Sequence, residues 1–343
     1  LLICTGCAHS GGDPSGYYEE PDLAESAASQ ASTESLESAD SSADESKADK
    51  SDKAEKADMY DVLPIAEAYR AGDPSALSEF DREIYEKAAA VLDEIITDGM
   101  DDYEKELAVH DYIIYNVTYD EGSLSAIPNP AEHCDDPYGA LINGKAICKG
   151  YTTTFRMFMG MLSIPCGTVH SSDATGEEHA WNTVKLDGSW YYVDCTWDDP
   201  IPDSAARPVI HTYFNVSREE IETDHVLPDG CPDTESAANS YYTRSAVKIA
   251  DLGEIYGAAK DALAQGRRDF VLLFDESTGI TLDGVDAIDD IYEPESKALE
   301  KKLNGLAAKM KKDGLANNCF LDVRRVQTAE GIGLYVEMHL FTD

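Results

Sequence analysis

Between Ser78 and Asp120 apolar residues recur at helical spacing, first on Ile84, Ala88, Val91, Leu92, Ile95 and Ile96. After a break at Asp98-Gly99 they resume on Leu107, Val109, Tyr112 and Ile113, and the spacing predicts two helices. Pro128, Pro130 and Pro137 then exclude a long regular element. Next comes NGKAICKGYTTTFRMFMGM, in which Gly144 ends a turn and Cys148 stands where a helix through Phe155, Phe158 and Met161 begins. Beyond Ile164-Pro165 the period changes. Cys166 to His170 predicts a strand, His179 to Val184 a second, Asp187-Gly188 a hairpin turn, and Trp190 to Asp194 the partner strand. With Val184 and Trp190 at the turn, His179 and Asp194 lie at the open end of that hairpin and can face each other.

From about Tyr241 the pattern predicts a second unit. Ala246 to Leu263 reads as one helix, RDFVLLFD as a strand and Glu293 to Lys312 as a long amphipathic helix. NCFLDVRRV and GLYVEMHLF read as two strands joined across Ala329-Glu330-Gly331, and the acidic run Asp283 to Glu293 as a solvated loop. At the other end, residues 11–58 are biased toward Ser, Ala, Asp, Glu and Lys, with almost no large apolar side chain after Tyr18. Such a stretch buries too little surface to offset its ordering entropy, and reads as a tether with an r.m.s. span of about 40 Å. Its later part could instead form a charged helix. LLICTGCAHSGG resembles the end of a bacterial lipoprotein signal, with Cys4-Thr5-Gly6-Cys7 in the lipobox place and Leu replaced by Cys4. That resemblance implies a lipid on Cys7. The rival reading, a Cys-x-x-Cys redox or metal pair, lacks a second Cys or His pair nearby. The organisation expected is therefore a truncated signal over 1–10, a tether over 11–58, a core over 59–240 and a C-terminal α/β unit over 241–343.

Charge changes the list of partners. The 27 Lys and Arg face 67 Asp and Glu, a formal −40, which repels phosphate backbones and anionic headgroups. Nucleic acid is excluded, and the membrane enters only through a lipid anchor at Cys7. With 43% hydrophobic residues the chain has material for real cores.

The chemistry converges on Cys148. A thiol at a helix N-terminus sees the positive end of the dipole and unpaired backbone N–H groups, which favour thiolate and can hold an oxyanion. An imidazole within reach makes a thiolate–imidazolium pair, and a carboxylate on its other nitrogen fixes the tautomer. His179 and Asp194 can supply both. The stretches YGALINGKAICKGYTTTF and EEHAWNTVKLDGSWYYVDCTWDDP resemble the transglutaminase-like superfamily, which shares the papain-like cysteine protease arrangement. The likeness extends to the lead-in EKELAVHDYIIYNVTYD and to HTYFNVSREEIETDH, covering roughly residues 80–225.

That resemblance implies an α+β fold, with a Cys-bearing helix on an antiparallel sheet. It also implies Cys148 as nucleophile, His179 as general base and acid, and Asp194 as the group orienting His179. The backbone N–H of Cys148 is one expected oxyanion donor; Tyr138, Asn143 or another loop group is the second. The expected activity is that of a surface-anchored cysteine peptidase acting on peptide or protein substrates, cell-wall peptides among them. The alternatives are a crosslinking transglutaminase and a non-catalytic envelope-binding module. No Gly-rich phosphate loop or calcium-loop spacing occurs, so no cofactor and no metal is expected. Cys134, Cys166, Cys195, Cys231 and Cys319 read as small buried hydrophobes, with Cys134 and Cys231 the pair best placed for a disulfide. His110, His211 and His225 read as structural. Trp181, Trp190 and Trp197 read as sheet packing, with Trp181 also able to wall a cleft.

Overall fold

The computed structural model describes residues 16–21, 59–124, 129–199, 210–250, 253–264, 268–274, 304–328 and 331–341. Cys7, most of the expected tether and the acidic run Asp283 to Glu293 lie outside the described residues. The order opens with a strand, β1 (Tyr17–Glu19), followed by helices α1 (Leu63–Ala71), α2 (Glu79–Ile95) and α3 (Asp102–Asn116). Ser78 caps α2 by accepting the Asp81 N–H, and Asp101 with Glu104 forms a capping box on α3, which is why the two helices start where they do. The inward face of α2 carries Ile84, Ala88, Val91 and Leu92, as the periodicity predicts. In α3 the buried face is turned from the expected one: Tyr103, Glu106, Val109, His110 and Ile113 point inward, and Leu107 and Tyr112 are only half-buried. An apolar stripe could not reveal this, because two of the inward residues are polar.

Helix α4 (Cys148–Met161) runs through the centre and is buried on nearly every side. It follows a short parallel pair, β2 (Thr118–Tyr119) and β3 (Lys145–Ala146), and a π-turn over Gly139–Asn143 that Gly144 closes at φ 67°. Strands β4 (Cys166–Asp173), β5 (Glu178–Leu186) and β6 (Ser189–Val193) form the antiparallel meander against which α4 packs. Asp187 and Gly188, at φ 50° and 88°, make the two-residue turn between β5 and β6. Short helices α5 (Cys195–Asp198) and α6 (Arg218–Ile221), with β7 (His225–Val226) paired to the end of β4, complete this part.

The C-terminal layer comprises α7 (Tyr241–Ser245), β8 (Ala246–Ile249), α8 (Glu254–Ala264), β9 (Asp269–Phe274), a helix α9 over 304–312, β10 (Asn318–Thr328) and β11 (Gly331–Phe341). Its strands lie in the order β10-β11-β9-β8. The single helix expected over 246–263 is split, because the alternating Ala-Val-Lys-Ile run pairs with β9 in parallel register before α8 begins. This layer shares the main core. Val271 and Tyr335 belong to the same buried cluster as Phe155 and Phe158, and Arg244 both reaches Asp101 at 2.6 Å and covers the Tyr103 ring at 4.2 Å.

The composition of residues 11–58 hid β1. Tyr17 to Glu19 pairs antiparallel with His170 to Thr168, at the free edge of β4. Tyr17 stacks on His170 at 5.3 Å, the Tyr18 hydroxyl meets Thr183 Oγ1 at 3.2 Å, and Glu19 bonds Arg156 of α4 at 3.1 Å. Two adjacent tyrosines supply the apolar surface that the rest of the segment lacks, and they cover an edge strand that would otherwise expose its ladder groups. Tyr18 packs beside the buried cluster of Val169, Trp181 and Tyr192. Tyr18→Ala is therefore expected to lower unfolding stability by about 2 kcal/mol, checked by urea denaturation of the full chain. An unchanged midpoint would mean that β1 adds nothing to the fold.

Candidate active site

Cys148 is the first residue of α4 and is buried. Ile147, the N-cap, is extended and offers no side-chain cap, so the positive end of the helix is left to backbone N–H groups. The chain ahead of it is fixed by Ile147 N–H donating to the Cys134 carbonyl at 2.8 Å. One turn on, Thr152 donates its hydroxyl to the Ala180 carbonyl at 2.9 Å, and Asn182 Nδ2 donates to the Thr152 carbonyl at 3.2 Å. Residues four apart share a helix face, so the Thr152 bond brings the Cys148 face of α4 onto the strand that carries His179. Lys149 meets Glu178 at 3.1 Å and His170 meets the same oxygen at 2.7 Å, a clamp between the neighbours of Cys148 and His179. The hydrogen bond from His170, followed by the charge of Lys149, outweighs burial and holds the Glu178 carboxyl at about 2.

His179 projects from β5 between the indoles of Trp181 and Trp197, at 5.6 and 5.3 Å ring to ring. Its Nε2 lies 2.6 Å from Asp194 Oδ2, which leaves Nδ1 as the nitrogen for a reacting group. The two residues expected to face each other at the open end of the hairpin do so. Asp194 is also the N-cap of α5, its Oδ1 accepting the N–H groups of Thr196 at 2.9 Å and Trp197 at 3.2 Å. Burial by itself would raise this carboxyl. The charge and hydrogen bond of His179, with the bond from His225, outweigh burial and hold it well below the usual carboxylate range.

A second polar group fixes the far end of α5. Asp198 Oδ2 lies 3.1 Å from His110 Nε2, while His110 Nδ1 and His211 Nε2 both meet Asp111 Oδ1, at 3.1 and 2.9 Å. Burial would lower His110, but a carboxylate on each of its nitrogens lifts it to about 9. His110 thus ties α3 to α5, and it holds the helix that Asp194 caps. Beside it, burial lifts the Glu106 carboxyl to about 8, against the pull of a hydrogen bond from Asn215 Nδ2 at 2.9 Å. Glu106 Oε1 and Asn215 Oδ1 are both buried acceptors without a donor. A proton on Glu106 supplies a donor that this pair otherwise lacks.

Several expectations are revised. Tyr138 stacks on Phe80 at 4.9 Å with its hydroxyl toward Glu83, and Asn143 Nδ2 donates to the Glu132 carbonyl, so both side-chain donors are engaged away from Cys148. The two cysteines expected to pair sit in different surroundings: Cys134 underlies the start of α4, whereas Cys231 packs in the Trp181 cluster. His225, read as structural, has its Nε2 3.0 Å from Asp194 Oδ2. A histidine alone among polar neighbours gave no sequence signal for this, and only the pairing of β7 with β4 brings it there. Among the described residues two His-Asp-His groups have donor atoms close enough for a metal ion, His110-Asp111-His211 and His179-Asp194-His225. In both, the short contacts are already those of imidazole to carboxylate hydrogen bonds.

Residues 89–195 match the family model of the transglutaminase-like superfamily, a range that includes Cys148, His179 and Asp194. Kyphoscoliosis peptidase of Homo sapiens is 28% identical over 141 residues, 37% of this chain and 21% of that protein. The Mus musculus protein of the same name is 25% identical over 134 residues, 36% of this chain and 20% of its own. The chain thus spans about a fifth of the length of these curated relatives. Solved structures that resemble it include a TGase, with TM-score 0.30 and 21% identity over 41% of this chain and 39% of that one. Another is a candidate cysteine protease from Cytophaga hutchinsonii, with TM-score 0.26 and 18% identity over 33% and 37%.

Two outcomes follow from the geometry. A methyl group on Gly150 would stand 2.4 Å from the Cys134 carbonyl oxygen and 2.8 Å from Ala146 Cβ. Gly150→Ala must push the 134–147 segment off the start of α4, and is expected to slow Cys148 alkylation at least tenfold and lower the melting temperature; equal labelling in both proteins would refute the close approach. The second concerns Glu106, whose carboxyl is raised on folding. Its contribution is complete below about 4.5 and is lost as pH rises toward about 8, because the unfolded chain ionises first. Glu106→Gln removes that loss, so at pH 8 it is expected to be more stable than the parent by on the order of 2–5 kcal/mol, with the difference vanishing near pH 4. Parallel stability curves over this range would show Glu106 to be ionised in the fold.

Proposed function

We propose that this transglutaminase-like chain is a cysteine enzyme of acyl transfer that acts on peptide bonds, through Cys148, His179 and Asp194. The observation that carries the reading is the 2.6 Å bond from His179 Nε2 to a buried Asp194, opposite a helix that starts at Cys148 without a side-chain cap. In this reading the thiolate of Cys148 attacks the amide carbonyl carbon, and the oxyanion that forms is held by N–H groups of the first turn of α4. His179, as imidazolium, gives its proton to the leaving amine while the C–N bond breaks, which leaves a thioester on Cys148. Water then attacks the thioester, with His179 as general base, and releases the acid and the free thiol. Asp194 keeps His179 in one tautomer and stabilises its charge without itself taking the proton.

Hydrolysis is favoured over crosslinking here, with an amine in place of water giving the transglutaminase outcome on the same thioester. The partner is a peptide or protein substrate, with cell-wall peptides as the class suited to an enzyme anchored outside the cytoplasm by a lipid on Cys7. The anchor rests on the sequence near Cys7 alone. Among the described residues no helix is long and apolar enough to cross a membrane.

The test is the pH dependence of Cys148 alkylation by iodoacetamide, read by mass spectrometry, in the parent and in His179→Ala. Rapid labelling at pH 6, well below an ordinary thiol near 8.5, with a loss of at least tenfold in the variant, is the expected result. Labelling at the rate of a free thiol in both proteins would overturn the assignment and leave a binding module on the same fold.

A further inference from the structure

Asp194 serves two imidazoles with one oxygen. Its Oδ2 lies 2.6 Å from His179 Nε2 and 3.0 Å from His225 Nε2, and its Oδ1 is occupied by backbone N–H groups. The other nitrogen of His225 lies 2.7 Å from Asp224 Oδ1, and the second Asp224 oxygen accepts the Tyr213 hydroxyl at 2.5 Å. A neutral imidazole can donate from only one nitrogen and turns a lone pair out from the other. With a carboxylate on each nitrogen, the form of His225 that fits is the imidazolium. The direction of its titration agrees: burial would lower it, and the bonds to Asp194 and Asp224 raise it instead.

The remaining neighbours are mostly uncharged. The His225 ring is buried against Trp197 at 4.3 Å, Trp181 at 4.7 Å, Tyr213 at 5.3 Å and His179 at 5.4 Å. From β4, Asp173 is its partner in strand register, and the Asp173 carboxylate is taken up by the Thr175 and Glu177 N–H groups. An imidazolium at His225 is a positive charge held out of water, with the Asp194 carboxylate on one nitrogen and that of Asp224 on the other.

We propose that His225 is a positioning residue of the site: as an imidazolium sharing Asp194 Oδ2 with His179, it fixes the carboxylate and offsets part of its charge, so that His179 can release its proton to a leaving group. This deepens the acyl-transfer reading above and rests on it. A buried carboxylate serving His179 alone would bind the imidazolium proton more tightly, and a general acid works best when its proton is transferable at the working pH. Removing a positive charge about 5 Å away makes every deprotonation of the Cys148–His179 pair harder, so the direction of the effect does not depend on which of the two loses its proton first.

The experiment uses the full chain, with histidine ring nitrogens labelled by ¹⁵N, alongside the pH profile of Cys148 alkylation. In the parent, both His225 nitrogens are expected to carry protons at pH 7. In His225→Gln, which keeps a donor for Asp194 but no charge, the pH of half-maximal labelling is expected to move up by about two units, as for a unit charge at this distance with an effective dielectric near 20. Asp224→Asn, which removes the outer carboxylate and keeps its volume, is expected to discharge His225 and move the profile in the same direction, and it decides the matter if His225→Gln does not fold. A bare nitrogen on His225 at pH 7, or an unmoved profile in a folded variant with normal activated labelling, would overturn the proposal and leave His225 structural. Labelling at the rate of a free thiol in the parent would instead sink the acyl-transfer reading, and is told apart because the charge on His225 is read independently of Cys148.

Discussion

One buried carboxylate organises this molecule. Asp194 is almost wholly out of water and accepts four hydrogen bonds, two from backbone N–H groups and two from imidazoles. An unpaired carboxylate in that place would be strongly destabilising, so each donor is a condition on the fold as much as on the site. The two N–H groups exist because α5 begins at residue 195, and His179 arrives because the β5–β6 turn keeps the hairpin in register. His225 arrives because β7 pairs with the far end of β4. Loss of any one element leaves a charge without its partner.

The same logic explains the second polar cluster. Asp198 stands at the end of the four-residue helix that Asp194 caps, and it is tied to His110 of α3. A helix of one turn has little stability of its own. Carboxylates at both ends, each bonded to a buried histidine, fix it in direction and therefore fix Asp194. Aromatic packing does the rest: Trp197 of α5 stands against His179, His225 and Tyr213, closing the space around the imidazoles. The result is a site rigid on the His-Asp side, facing an α4 that is itself central to the core.

The edge of the sheet is completed from an unexpected source. β1 reaches β4 at the level of His170, whose imidazole bonds Glu178 next to His179, and Glu19 reaches α4 through Arg156. The segment before the core thus contributes structure to both elements that carry the candidate residues.

Local pattern alone determined a good deal here: the helices around Ile84 and Val109, the start of α4 at Cys148, the Asp187-Gly188 hairpin, and from it the approach of His179 to Asp194. These are legible because each depends on neighbours a few residues apart, through period, caps and turn chemistry. The combination of Cys148, His179 and Asp194 was legible through its resemblance to the transglutaminase-like superfamily. The rotation of α3 was not, since Glu106 and His110 are buried by partners at Asn215 and Asp198, about ninety residues and more away. Nor was β1, where two tyrosines in a polar stretch gain their worth only from an open strand edge, nor the sharing of Asp194 by His225. What only the tertiary structure decided is which polar side chains are paired out of water, because the free energy of burying a charge is set by the partner it meets and not by the residues beside it in the chain.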